Sequence, residues 1–181
     1  MRFAARPYDP ACKFAFVGSV KNCPANEKWG FLQLDLEGAY LLEETFGINA
    51  KASFNLSLLR IHCFYQYVFT ADDAFTIFSP NGGITIPIGD GMLHLFAGAF
   101  LLDLIGEPLF SFGGEFSYFF PANLIVDIYN INAFYGSTGF FSFSCSLSYA
   151  LGNFSFGVGF NYNYCAEVVF LGPMLKLSLW I

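Results

Sequence analysis

The side chains that could carry out chemistry in this sequence are few. His62 and His94 are the two histidines, and no Gly-x-Ser-x-Gly, His-Glu-x-x-His or phosphate-binding loop occurs in the chain. Nucleophilic catalysis and metal binding need partner groups at defined spacings, because a nucleophile must meet a base and a metal must meet several ligands. We therefore expect no enzyme, no metal site and no cofactor. A serine–histidine pair at either histidine is the remaining catalytic alternative.

The five cysteines form no recognisable metal-binding or redox motif, since the chain has no Cys-x-x-Cys pair and no Cys/His spacing of the zinc type. Cys12 and Cys23 could pair as a disulfide in an oxidising compartment. Cys145 lies among apolar residues, where a free thiol behaves as a small hydrophobic group. The other two are Cys63 and Cys165.

Charged side chains are scarce, at 12% of residues, whereas hydrophobic residues reach 55% and aromatic residues 20%. A typical soluble domain is about 25% charged, and one of this size could not easily hide so much apolar surface. Spanning helices are not expected, because the nearest apolar run, 92–105, is interrupted by His94 and Asp103. The net charge of −6 argues against a nucleic-acid partner, which needs positive potential.

The elements that must position these residues are indicated by alternation with a period of two. In 141–151, large apolar side chains alternate with four serines and an alanine, and 154–164, 110–120 and 46–58 alternate similarly. Segments of about ten residues with one apolar and one polar face, separated by turn residues, are typical of membrane β-barrels. We predict an all-β, transmembrane, antiparallel up-and-down barrel of about ten strands.

The turn signals place the barrel in 29–181 and leave 1–28 as an N-terminal segment, either a periplasmic tail or an extra strand. Eight strands remain an alternative, because 74–88 contains two prolines and two glycines and the break near Leu58 has no turn signal. Segments 92–105 and 124–135 alternate poorly, which suggests either a more apolar interior or a different register for these strands. The predicted strands are 30–42, 46–57, 59–70, 74–88, 92–105, 109–120, 124–135, 139–151, 153–164 and 168–181.

Several charged residues share the polar face with serine, asparagine and glycine, and so should face the lumen. Buried charges must pair or meet water. They predict either a network that locks a closed barrel or a narrow pore that prefers cations, since acids outnumber bases. Asp103 and Asp127 should join the set despite the poor phase of their strands. The lumen-facing residues are Asp35, Glu37, Lys51, Glu115 and Lys176.

Acidic residues also concentrate in the alternate turns that lie on one rim of the predicted barrel. Both chain ends fall on the other rim, which is the periplasmic side in the usual arrangement of such barrels. The acidic rim would then face outward, where it could bind a divalent cation at the lipid headgroups. Its members are Glu43, Glu44, Asp72, Asp73, Glu107 and Glu167.

The N-terminal segment 1–28 holds five of the eight basic residues. A secretory signal would show an uninterrupted apolar stretch after the charged start, but Pro7, Asp9 and Pro10 precede the short apolar run at 14–17. The alternatives are a mature chain whose signal was removed, a misplaced start, or a soluble protein without a signal.

The C-terminal residues resemble the final strand of bacterial outer-membrane β-barrels. In 172–181, Leu175, Leu177, Leu179 and Ile181 alternate, with Trp180 next to the end. The resemblance implies the lipid bilayer and the outer-membrane assembly machinery as partners, and the bacterial outer membrane as the location.

The sequence thus predicts an integral outer-membrane barrel with a small lumen. It would act as a narrow, porin-like channel for a small solute or cation, or as a structural membrane protein. The alternative is a soluble β-barrel that turns its aromatic face inward and binds an apolar ligand.

Overall fold

The fold of the chain is a barrel of ten antiparallel strands, seen in a computed structural model. The structure describes residues 30–41, 45–56, 58–71, 73–88, 91–103, 106–120, 123–135, 138–151, 153–165 and 168–181. The strands are β1 (Gly30–Leu41), β2 (Thr45–Leu56), β3 (Leu59–Phe69), β4 (Ala74–Ile88), β5 (Gly91–Leu102), β6 (Pro108–Phe119), β7 (Leu124–Tyr135), β8 (Thr138–Leu151), β9 (Phe154–Cys165) and β10 (Val168–Trp180).

Each strand pairs with its neighbour in the chain, and β1 also pairs with β10, which closes the sheet. Along the closing seam Leu34 lies opposite Leu179 and Leu36 opposite Leu177. Closure leaves no strand edge with unpaired backbone groups. The prediction of ten strands is confirmed, and each strand end lies within three residues of its predicted position.

The irregular stretch in β4 is one continuous strand of 15 residues, and a side-chain network compensates for Pro80, the proline near its middle. Pro80 has no N–H to donate, and the ladder with β5 lacks the pairs at Ser79 and Pro80. The Ser79 hydroxyl donates to the Ala99 carbonyl instead, at 2.8 Å. Asn81 donates to Ser79 Oγ at 3.0 Å and accepts from Ser111 at 2.9 Å. These bonds keep β4 in register through the proline.

Side chains of the strands separate by polarity between the two faces of the barrel. Within the described ranges no charged side chain points outward from a strand, and the outer face carries exposed residues such as Leu175, Phe110 and Val158. This is the reverse of a soluble barrel, whose apolar face points inward. None of the described segments forms a helix long and apolar enough to cross a membrane.

The interior is filled in three layers between two rims. We call the rim with the turns after β1, β3, β5, β7 and β9 the acidic rim, and the rim with Gly30 and Ile181 the terminal rim. Apolar side chains including Phe100, Phe140 and Leu41 fill the end near the acidic rim. Met92 and Trp180 belong to a smaller apolar cluster near the terminal rim. Polar side chains occupy the middle.

The apolar clusters explain why two segments alternate poorly in the sequence. β5 directs Phe96, Phe100 and Leu102 inward, and β7 directs Tyr129 and Ile131 inward. Both faces of these strands are therefore largely apolar, which removes the contrast that marks a half-polar strand.

Candidate functional site

The middle layer of the barrel interior contains nearly all the buried charge in the described part of the chain, and we call it the polar layer. All five residues expected to face the lumen are at most 4% exposed. Arg60 and Asp127 are buried beside them. The five are Asp35, Glu37, Lys51, Glu115 and Lys176.

Lys51 on β2 connects two opposite walls of the barrel. Its Nζ lies 2.8 Å from Glu37 Oε1, and Asn49 donates to the other oxygen of Glu37 at 3.2 Å. The same Nζ lies 4.5 Å from the centre of the Tyr129 ring, a distance at which cation–π attraction is effective. Because β2 and β7 are five strands apart in the closed order, this contact crosses the full width of the lumen.

Arg60 on β3 forms the shortest ion pair of the polar layer. Its Nη2 lies 2.6 Å from Glu115 Oε2 on β6 and donates to Ser53 Oγ at 2.8 Å. Sequence reasoning did not select Arg60, although a signal was present. It alternates with outward-facing Leu59 and Ile61, so a strict period of two places it inside.

Lys176 on β10 makes the third ion pair, again with a strand that is not its neighbour. Its Nζ lies 2.9 Å from Asp127 Oδ2 on β7, and Ser117 donates to Asp127 Oδ1 at 2.6 Å. Asp127 therefore lies inside, as expected. The buried carboxylate keeps both oxygens bonded, as a charge removed from water requires.

The three cations converge on the hairpin of β6 and β7, which supplies Glu115, Asp127 and the Tyr129 ring. Asp35 is held differently, since the amide of Gln33 donates to its two oxygens at 2.9 and 3.1 Å. The arrangement ties β2, β3 and β10 to the opposite side of the barrel.

The two histidines are bonded to hydroxyl groups within the barrel. Tyr129 Oη lies 3.3 Å from His62 Nε2, and Thr85 Oγ1 lies 2.7 Å from His94 Nδ1. No hydrogen bond between a histidine and a serine occurs among the described residues. In the same ranges, no three His, Cys, Asp or Glu side chains are grouped so that they could hold a metal ion.

The acidic rim is described at two of its six expected positions. Asp73 and Glu107 are exposed there, whereas Glu43, Glu44, Asp72 and Glu167 lie outside the described residues, as do Cys12, Cys23 and segment 1–28.

The prediction that Asp103 faces the lumen is wrong. β5 ends at Leu102, so Asp103 lies exposed in the following turn, where it accepts a hydrogen bond from the Thr76 backbone N–H at 2.8 Å. Its carboxylate bonds the backbone near the start of the neighbouring strand β4 rather than contributing charge to the interior.

Aromatic rings form clusters on the outer face near the two rims. Near the acidic rim, Tyr40 contacts Phe46 at 5.1 Å and Phe46 stacks on Phe69 at 5.5 Å between ring centres. Near the terminal rim, Tyr118 contacts Phe120 at 4.6 Å. Aromatic girdles of this kind lie at the two interfaces of transmembrane barrels.

No family model and no curated protein matches the sequence. Among solved structures, a de novo designed transmembrane β-barrel is similar at 11% identity, covering 85% of this chain and 98% of its own, with a TM-score of 0.47. The N-terminal β-barrel domain of Pseudomonas aeruginosa OprF is similar at 9% identity, covering 83% and 97%, with a TM-score of 0.42. Neisserial surface protein A is similar at 14% identity, covering 85% and 97%, with a TM-score of 0.37.

The class of the fold follows from the chain's own geometry. A closed meander of ten strands with an apolar outer face, polar side chains inside and aromatic rings at both ends is a transmembrane-type β-barrel.

Proposed function

We propose that this protein is an integral β-barrel of the bacterial outer membrane whose closed interior gives it a structural role rather than that of a channel. The observation that carries the proposal is the contact of Lys51 with Tyr129, which joins opposite walls across the lumen. The outer-membrane location and the assembly machinery as a partner are supported by the resemblance of the last strand to those of known barrels.

The outer surface supports placement in a bilayer. A strand of 12 residues such as β7, rising about 3.4 Å per residue at a tilt of about 40°, spans about 30 Å, which is enough to cross the apolar band of about 25 Å in such barrels. A lysine or arginine at the middle of the lipid face costs about 2–4 kcal/mol. The described outer face carries neither.

The interior supports closure. An ion path needs a continuous wet route with binding sites that release the ion. Here the Arg60–Glu115 and Lys176–Asp127 pairs cross the polar layer, and apolar side chains such as Phe100 and Trp180 cover it on both sides.

The test compares membrane insertion with conductance in the same preparation. The refolded full chain should migrate differently on SDS gels before and after heating, and vesicles containing it should show no steady conductance in planar bilayers. A protein that inserts and conducts cations steadily would replace the structural role with that of a channel. A protein that stays monomeric without detergent would contradict the membrane placement itself.

A further inference from the structure

The outer face of β7 carries two amide side chains within a surface that is otherwise apolar. Of the outward strand residues whose side chains the structure describes, only Thr76, Asn130 and Asn132 have a non-aromatic hydroxyl, amide or charged group. The other outward residues of β7 include Val126, Ile128 and Phe134. A pair of amides on consecutive outward positions of one strand therefore needs a physical reason.

The depth of these amides in the apolar belt makes their position energetically unfavourable. Asn130 lies five residues from Tyr135 at the acidic-rim end of β7, which places it roughly 13 Å below that end of the strand for a rise of about 3.4 Å and a tilt of about 40°. The apolar belt of a barrel is about 25 Å tall, so Asn130 lies near its middle. Lipid chains at that depth offer no hydrogen-bond partner to an amide.

Each amide uses one end to bond the backbone of the neighbouring strand β6. Asn130 Oδ1 accepts from the Gly114 N–H at 3.1 Å, and Asn132 Nδ2 donates to the Phe112 carbonyl at 3.4 Å. Among the described residues, no hydrogen bond involves Asn130 Nδ2 or Asn132 Oδ1. One residue is left with a donor and the other with an acceptor, two positions apart on the same strand.

A donor and an acceptor at this spacing are complementary to themselves. In a pair related by a two-fold axis, each surface meets its own copy, so that residue i contacts j and j contacts i. Asn130 of one copy would donate to Asn132 of the other, and the reverse bond would form by symmetry. Both remaining amide groups would then be satisfied at once.

The side chains around the amides favour close approach of a second copy. Gly114 lies directly across from Asn130 on β6, so no side chain stands on that side. Phe112 lies across from Asn132 and stacks on Phe134 with 5.9 Å between ring centres. Phe143 lies across from Asn130 on β8. Residues that carry most of the energy of an interface are usually surrounded by contacts of lower energy that exclude solvent, and these apolar side chains would surround the amides in the same way.

We propose that Asn130 and Asn132, with the phenylalanines beside them, form the contact surface of a homodimer in the plane of the membrane. The proposal rests on the bilayer placement argued above. The second copy is favoured over a different membrane protein because the unsatisfied groups match each other.

The test measures energy transfer between donor-labelled and acceptor-labelled full-length chains in lipid vesicles, at increasing lipid dilution. The wild-type chain should show transfer that lipid dilution weakens gradually. Asn130→Leu and Asn132→Leu should each abolish both symmetric bonds and weaken association roughly tenfold. Thr76→Val, which removes the other outward polar group, is the matched control and should leave transfer unchanged.

A mixture of the two variants separates the dimer from a purely structural role. When Asn130→Leu chains meet Asn132→Leu chains, one of the two bonds is restored, so the mixed sample should transfer more than either variant with itself. A structural role in holding β6 would give no such recovery. Equal transfer in all samples, or none in the wild type, would overturn the dimer. The heat-dependent gel shift on the same samples reports insertion separately, and its loss would contradict the membrane placement instead.

Discussion

Two strands on opposite sides of the barrel, β3 and β8, contribute to the interior in contrasting ways. β3 directs large side chains inward, among them Arg60, His62 and Phe64. β8, five strands away in the closed order, lines its wall with serines from Ser142 to Ser148. Because a barrel interior has a fixed width, one wall can carry long side chains only where the facing wall is lined with small ones. The closed lumen thus results from unequal walls.

The largest expected effect comes from removing the carboxylate that pairs with Arg60, one of the large inward side chains of β3. Glu115→Ala should leave the Arg60 guanidinium buried without its partner and lower the free energy of unfolding by roughly 3–5 kcal/mol. Urea unfolding in vesicles, followed by tryptophan fluorescence, measures this. A double variant, Arg60→Met with Glu115→Leu, should recover most of the loss. If the double variant is as unstable as the single one, the ion pair itself is not the source of the effect.

An intermediate effect is expected when a methyl group is added to the barrel wall that carries small side chains. A Cβ at Gly159 on β9 would collide with the Cys145 carbonyl of β8. Gly159→Ala should therefore cost roughly 1–3 kcal/mol through overpacking. Gly38→Ala is the matched control, because a Cβ at that outward position meets no atom within 4 Å. Comparable unfolding curves for the two variants would mean that the barrel can accommodate an additional methyl group beside β8.

The smallest effect should come from removing a single oxygen atom, the hydroxyl of Tyr129 on β7. Tyr129→Phe removes the hydroxyl that lies 3.3 Å from His62 Nε2 but keeps the ring beneath Lys51. The expected loss of stability is about 0.5–1.5 kcal/mol. Tyr129→Leu also removes the cation–π contact and should cost more. Equal losses for the two variants would show that the aromatic face adds nothing.

The contrast between the two walls also separates what could be predicted from what could not. The serines of β8 opposite its phenylalanines make the period of two obvious, so strand and facing follow from the sequence. The inward-facing side of β5 cannot be recognised from its sequence, because Phe96 and Phe100 point inward while leucines point outward, so that both faces are apolar. Asp103 was misplaced for a related reason, since without alternation the end of β5 at Leu102 has no local marker.

The partners within the polar layer were beyond sequence reasoning for a different reason. Arg60 and Glu115 lie on strands that are not neighbours, and their meeting depends on strand tilt and stagger around the whole barrel. Alternation gives the face of a strand but not the height at which a side chain stands. The inward position of Lys176 could therefore be expected, whereas its pairing with Asp127, three strands away, could not.

The seam between β1 and β10 has a consequence for how the chain acquires its structure. The backbone groups of β1 along this edge find their partners only when the last strand arrives, and contacts between such distant parts of a chain form slowly. Until then the sheet has two edge strands with unpaired backbone groups, which can pair with other incompletely folded chains. A truncated chain that lacks β10 would therefore aggregate rather than insert into a membrane. The chain must be synthesised through β10, and kept from associating with other copies, before it inserts.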